Sequence, residues 1–329
     1  MLSKYCIVTG GAGFIGSHMV DLLIQKKYIV IVIDDLSKGK KKNIFQHIRN
    51  KKVVFIRKDI RKLKAKDIKF KKIDFIFHFA GKDAIIPSIN NPEKYLDVNL
   101  NGTLNILQQT KNLKYKKFVY AASSSCYGKA KTPTSENNPI SILHPYALSK
   151  YLGEQVALSW NSIYNLPINS VRIFNAYGER IGFNSEYGAM FPILLKQKLS
   201  NKPLTIVGNG KQKRDFIYVK DLVSAFYAVA NIKQNGKDLN VGSGKPVSVN
   251  KIASLISKKK IYIKKRPGEP DTTHANIKKI NLVTNWRPKI NINEGVDIML
   301  KNINLWKNSV LWDKKKIKVA TQVWFKKIK

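Results

Sequence analysis

Short apolar, β-branched runs alternate with amphipathic stretches through the first 120 residues. Residues 5–9 read as a buried strand, a glycine turn follows at 10–16, and residues 17–27 carry helical spacing. Further strands are expected at 29–33, 53–57, 74–78 and 117–121, with helical patterns between several of them. The run Ile29-Val30-Ile31-Val32-Ile33 is apolar at every position, as in strands buried on both faces. Strands alternating with helices predict an α/β fold, a doubly wound parallel sheet.

Beyond about residue 175 the alternation breaks down. Short strands at 204–207 and 216–219 mix with helices at 190–199 and 221–232, among glycines and prolines. The expected division is residues 1–175 as one domain, with a segment near 216–242 returning to it. Residues 176–329 then form mainly a smaller, mixed α/β lobe and a C-terminal tail. In that tail Trp306, Trp312 and Trp324 stand among lysines, and Ile317, Ala320, Trp324 and Ile328 fall at helical spacing. Packing of that stripe onto the body is the preferred reading, and a membrane-surface helix is the other.

Composition changes this picture at a few points. Hydrophobic residues at 43% exclude a disordered chain. Lys and Arg total 60 against 21 Asp and Glu, a net charge of +39, yet only eight of the 60 are Arg. A nucleic-acid reader concentrates Arg and interleaves exposed aromatics, so a generally basic surface is preferred over selected polyanion binding. Cys6 and Cys126 make no disulfide framework. The start of the chain has no signal-peptide pattern, and no apolar run approaches membrane-spanning length, so a cytoplasmic protein is expected. The five histidines show no ligand spacing with Cys or acids, so no metal site is expected, and His78 at a buried strand end reads as structural.

Gly11-Ala12-Gly13-Phe14-Ile15-Gly16 matches the G-x-G-x-x-G pattern between a strand and a helix, and Asp34 ends the next strand. Such glycines let the backbone approach a pyrophosphate seated on a helix N-terminus. Asp34 suits the adenosine ribose hydroxyls and disfavours a 2′-phosphate, although Lys38 lies close by in sequence. The cofactor expected is therefore NAD. Ser123-Ser124-Ser125 follow the 117–121 strand, at the edge where α/β sheets bind ligands. Tyr146 and Lys150 are spaced i and i+4 on one helix face, and Pro145 suits that helix's first turn. A nearby cation and the helix N-terminus both favour phenolate, so Tyr146 is expected to act as a base well below the ordinary tyrosine pKa.

Together these motifs resemble the extended short-chain dehydrogenases/reductases of the NAD-dependent epimerase/dehydratase family, and among them most closely UDP-sugar 4-epimerases. Further marks are Asp59-Ile60, His78-Phe79-Ala80-Gly81, Asn99-Leu100-Asn101-Gly102-Thr103, Arg172-Ile173-Phe174-Asn175 and Arg214-Asp215-Phe216-Ile217-Tyr218-Val219. The resemblance implies a Rossmann-type domain and a catalytic set of Ser123, Tyr146 and Lys150. It implies NAD contacts from Gly10, Gly13, Phe14, Ile15, Gly16, Asp34, Asp59, Ile60, Phe79, Ala80, Gly81 and Asn99, with Tyr146 and Lys150 completing them. Ser124, Ser125, Asn175, Arg214, Arg266, Glu269 and Thr273 would meet a UDP-sugar, with Thr273 at the position that sets room for an N-acetyl group. The reaction implied is C4 epimerisation of UDP-glucose/UDP-galactose, or their N-acetyl forms, through a 4-keto sugar. A homodimer through helices flanking the Tyr-Lys helix is implied too, with no specific nucleic acid and no integral membrane contact.

Departures from the family pattern keep other readings open. Its 4,6-dehydratases carry Asp-Glu where Ser124 and Ser125 stand, which argues against dehydration. Lys82, Asp83 and Asn276 replace more usual residues, and Cys126 stands where Val is frequent. Another nucleotide-sugar reaction of the family, by a 4,6-dehydratase, a uronate epimerase or a reductase, is the alternative among enzymes, and a non-catalytic dinucleotide sensor is the alternative of another class.

Overall fold

The computed structural model describes residues 4–70, 72–182 and 188–328. Six strands, β1 (Lys4–Thr9), β2 (Tyr28–Asp34), β3 (Val53–Arg57), β4 (Phe75–His78), β5 (Lys117–Ser123) and β6 (Ile168–Ile173), lie in one parallel sheet. The chain then leaves it for four short strands, β7 (Asn175–Tyr177), β8 (Leu204–Val207), β9 (Lys213–Arg214) and β10 (Phe216–Tyr218). It returns as β11 (Asp238–Val241), the seventh strand, parallel to β6. The sheet order is β11-β6-β5-β4-β1-β2-β3, so the winding reverses between β1 and β4. Ligand crevices open at such a reversal, at the carboxyl ends of the strands.

The crossovers carry α1 (Phe14–Gln25), α2 (Phe45–Arg49), α3 (Ile85–Asn90), α4 (Pro92–Leu96), α5 (Gly102–Thr110) and α6 (Pro145–Tyr164). Alternate side chains of β2 enter opposite cores. Val30 and Val32 pack with Met19 and Leu23 of α1, whereas Ile31 and Ile33 pack with Ile106 and Leu107 of α5. That two-sided burial is why β2 has no polar face. The helix predicted to start at Ser17 starts at Phe14, inside the glycine motif, because the Ser17 amide already closes on the Gly13 carbonyl at 3.1 Å.

The other helices are α7 (Met190–Leu199), α8 (Val219–Ala230), α9 (Val249–Ile256), α10 (Lys278–Thr284), α11 (Ile292–Lys301) and α12 (Lys314–Lys327). Two more strands complete short sheets, β12 (Val247–Ser248) against β9 and β13 (Lys260–Ile263) against β8. A separate core of Phe191, Leu194, Ile206, Ile252, Met299 and Trp306 lies under α7, α9 and α11. α8 instead packs on α1, with Leu222 and Phe226 in the core shared with Val30 and Val32. It begins two residues before the expected start at Asp221, whose carboxylate instead accepts the backbone amides of Lys289 and Ile290. Ile280 of α10 and Trp286 enter that same core, a second return to the sheet that nothing in the sequence pattern announced. The tail stripe packs onto the body, with Ile317 and Trp324 buried and Ala320 and Ile328 partly so. Ile317 and Trp324 pack against Ile86 of α3 and Ile193 of α7.

Both cysteines are free and buried. Among the described residues no helix is long and apolar enough to cross a membrane, and no cluster of potential metal ligands occurs.

Candidate active site

A cleft of ≈ 920 Å³ opens at the carboxyl edge of the sheet, between it and the second lobe. Its floor is the β1–α1 loop. Gly10 has φ +68°, and a Cβ there would lie 2.7 Å from the Ala80 amide nitrogen. A Cβ on Gly16 would lie 2.1 Å from the Gly10 carbonyl oxygen. Hydrogen alone at these positions lets the loop, α1 and the end of β4 close together. Gly13 is the N-cap of α1 and supplies no side-chain acceptor, so the first-turn amides face the cleft as anion donors. Arg180 lines the same wall. Its Nη2 pairs with Asp21 at 2.8 Å, and its buried Nη1 has no hydrogen-bond partner among the described residues. This donor set fits a dinucleotide pyrophosphate. We expect Gly16→Val to yield protein without bound dinucleotide, read as nucleotide released on denaturation.

Asp34 is 6% exposed, and its carboxylate accepts the Ala12 and Leu36 amides at 3.0 and 2.8 Å. Burial raises its pKa and those two bonds oppose the rise. Lys38 reaches Asp83 at 2.6 Å. Asp59 and Ile60 line the far end of the cleft, where Arg61 bridges the carboxylates of Asp59 and Asp97 and holds the Asp59 pKa down. Phe79, Ala80 and Gly81 form the intervening wall. Asn99 does not line the cleft. It is 1% exposed and clamps the Lys82 backbone, accepting from its amide at 2.7 Å and donating to its carbonyl at 3.0 Å.

The next wall comes from β5 and α6. Ser123 ends β5, and its hydroxyl accepts the Ser125 amide at 3.2 Å, which turns Ser124 and Ser125 along the cleft. Pro145 starts α6, and His144 caps it through Nδ1, accepting from the Ala147 amide at 3.1 Å. The Ser88 hydroxyl of α3 accepts the Tyr146 amide at 3.1 Å. Tyr146 and Lys150 both line the cleft, as their spacing predicts. The polypeptide does not, however, produce the acidic phenol expected from sequence. Burial pushes Tyr146 up to about 12 against a hydrogen bond from Ser123, and burial brings Lys150 down to about 8. The Lys150 ammonium lies over the Tyr120 ring, 4.4 Å from its centroid. His78 lies behind this wall, 1% exposed, with Nδ1 2.6 Å from the Thr9 hydroxyl and Nε2 3.0 Å from that of Thr103.

The second lobe supplies the far side. Arg266 Nη1 donates to Glu269 at 2.9 Å, and Arg214 Nη2 stands 3.9 Å from the same carboxylate. Burial lowers the Arg214 pKa, and Glu269 acts against that. The Thr273 hydroxyl donates to the Asn175 side-chain oxygen at 3.2 Å and accepts the Asp215 amide at 3.3 Å. All five of these substrate-side residues line the cleft with Ser124 and Ser125. Residues that sequence reasoning missed include Arg180, His144 and Trp324. For Arg180 a signal existed, the scarcity of Arg in a lysine-rich chain.

Three comparisons bear on this geometry. The family model "NAD dependent epimerase/dehydratase family" matches residues 6–242. A provisionally named UDP-glucose 4-epimerase of Methanocaldococcus jannaschii is 38% identical over 312 residues, 92% of this chain and 98% of that protein. The structure of a UDP-glucuronic acid 4-epimerase from Bacillus cereus, in complex with UDP-glucuronic acid and NAD, aligns with TM-score 0.85 at 30% identity. That alignment covers 92% of this chain and 99% of the other. A UDP-N-acetylglucosamine 4-epimerase from Methanobrevibacter ruminantium, in complex with UDP-N-acetylmuramic acid, gives TM-score 0.84 at 30% identity, covering 92% and 100%.

Proposed function

Because the chain belongs to the NAD dependent epimerase/dehydratase family, we propose that it inverts C4 of a UDP-hexose, using NAD that stays bound. The hexose is glucose/galactose or its N-acetyl form. One observation carries this reading. A single cleft is lined by a glycine cradle, by the Tyr146–Lys150 pair and by two arginines sharing one carboxylate.

Bound NAD would supply a reversible hydride acceptor for C4. The chain's own residues do the rest. Gly10, Gly13, Phe14, Ile15 and Gly16 receive the pyrophosphate, Asp34 the adenosine ribose, and Asp59 with Ile60 the adenine. Phe79, Ala80 and Gly81 line its path. Asn99 positions the Gly81–Lys82 backbone rather than touching the cofactor. Tyr146 accepts the proton of the 4-hydroxyl and later gives it back, while Ser123 hydrogen-bonds the reacting oxygen. Lys150 holds the nicotinamide ribose. Arg214 and Arg266 grip the diphosphate, for which guanidinium forks are suited, and the 4-keto sugar turns over about that anchor. Glu269 meets the uridine ribose, and Asn175 and Thr273 line the sugar end.

Dehydration would require a carboxylic acid and base beside Ser123, and Ser124 and Ser125 supply neither. A uronate substrate differs from the proposed one only at C6 and is tested in the same assay. Purified protein, without added cofactor, is incubated with UDP-galactose, UDP-GalNAc or UDP-glucuronate, and C4 is followed by proton NMR. Interconversion of galacto and gluco forms of either neutral hexose is the expected result. Turnover of the uronate alone would move the substrate class, and no turnover of any would overturn the reading. A homodimer is part of the same proposal. α5 and α6 expose Leu104, Ile163 and Tyr164, and light scattering would give the mass.

A further inference from the structure

The last helix reaches the cleft. α12 packs Ile317, Ala320 and Trp324 against Ile85, Ile86 and Ile89 of α3. α3 in turn holds the Tyr146 amide through Ser88. This packing delivers Trp324, 4% exposed, to a junction of three groups of the site. Its indole Nε1–H donates to the Pro267 carbonyl at 2.7 Å. The Arg266 guanidinium carbon stands over its ring, 5.8 Å from the centroid. The His144 ring lies 6.5 Å from it, and that ring is itself parallel to Tyr146 at 5.9 Å. Trp324, Ile317 and Ile328 all line the same cleft as Tyr146 and Arg266.

A tryptophan used only to pack α12 onto α3 would need no contact with Arg266 or with the loop carrying it. Here one indole spans from the proposed diphosphate anchor to the flank of the proposed base, the stretch that the UDP-hexose reading assigns to the hexose. The wall it makes is stiff. Its N–H is satisfied by Pro267, one face carries a cation, and its helix is fixed by an apolar seam.

We propose that Trp324 is a substrate-contacting residue, forming the wall of the hexose subsite and setting which nucleoside-diphosphate hexoses fit. This rests on the reading of the cleft as a UDP-hexose site. Because Arg266 is also held by Glu269, loss of the indole leaves the nucleotide end largely in place, and its effect falls on the sugar.

The test is isothermal titration of full-length parent, Trp324→Phe and Trp324→Ala with UDP, UDP-galactose and UDP-GalNAc. Circular dichroism and bound-dinucleotide content verify that each variant is folded. UDP affinity is expected to hold within a factor of about two, while both UDP-hexoses weaken roughly tenfold in the Ala variant and less in the Phe variant. The ratio of the two hexose affinities should also shift, since the wall that discriminates them is gone. An unchanged ratio of UDP-hexose to UDP affinity in a folded variant overturns the proposal. If the Ala variant fails to fold, the Phe variant decides on the same ratio. A parent protein that binds UDP but neither hexose overturns the UDP-hexose reading itself, and this inference with it.

Discussion

Tyr146→Phe should lose roughly 10²–10⁴-fold in turnover, the usual contribution of a positioned acid–base group, while still retaining NAD. The change removes one oxygen and leaves the ring, so contact with the His144 ring and the position of α6 are preserved. The geometry makes the hydroxyl hard to replace. Ser123 at the end of β5 lines the cleft beside it and acts to lower its pKa, and His144 is occupied as the helix cap. With the phenol held up to about 12 by burial, the polypeptide alone keeps it protonated at neutral pH. Deprotonation then needs further positive charge in the cleft, of the kind a bound nicotinamide cation would supply. Turnover is measured by C4 interconversion, and cofactor by dinucleotide released on denaturation. Full activity in the variant would remove Tyr146 from the reaction.

Glu154→Ala should destabilise the fold by about 3–5 kcal/mol, the cost of stranding a buried charge. Glu154 is fully buried one helical turn beyond Lys150, and it accepts from Ser170 Oγ at 2.7 Å and Arg172 Nε at 3.0 Å. Arg172, 4% exposed, also donates to the Tyr127 hydroxyl at 2.8 Å and pairs with Asp238 at 3.0 Å. Removing the carboxylate leaves a guanidinium that Asp238 and a phenol cannot fully compensate. Replacing both partners by apolar residues, Glu154→Leu with Arg172→Met, should recover much of the loss, because no charge is then left unpaired. Denaturant unfolding of the two variants beside the parent is the measurement. A single variant as stable as the parent would show that this network is not holding α6, β6 and β11 together.

The elements legible in the sequence were those whose signal is local. The strands at 29–33 and 117–121 are legible because burial on both faces leaves an apolar run, unbroken in the first and preceded only by Lys117 in the second. Tyr146 and Lys150 were placed on one helix face because helical spacing is independent of the rest of the chain. The beginning of α1 was missed by three residues, since glycines hide a helix start that backbone hydrogen bonds make plain. The return of Ile280 and Trp286 to the first core was missed because short apolar segments carry no mark of which core they join.

By itself the sequence determined the class of fold, the glycine cradle, the placing of Tyr146 and Lys150 on one helix face, and the family. Each depends on residue type at fixed spacing, and spacing survives without coordinates. Only the tertiary structure decided that Asn99 stands behind the cleft, that Arg180 and Trp324 stand in its wall, and that burial raises the Tyr146 pKa where the sequence pattern pointed to a lowering. These outcomes follow from burial and from contacts between residues far apart in the chain, such as Trp324 with Pro267 and His144. Desolvation and long-range packing are properties of the folded surface, and no local pattern encodes them.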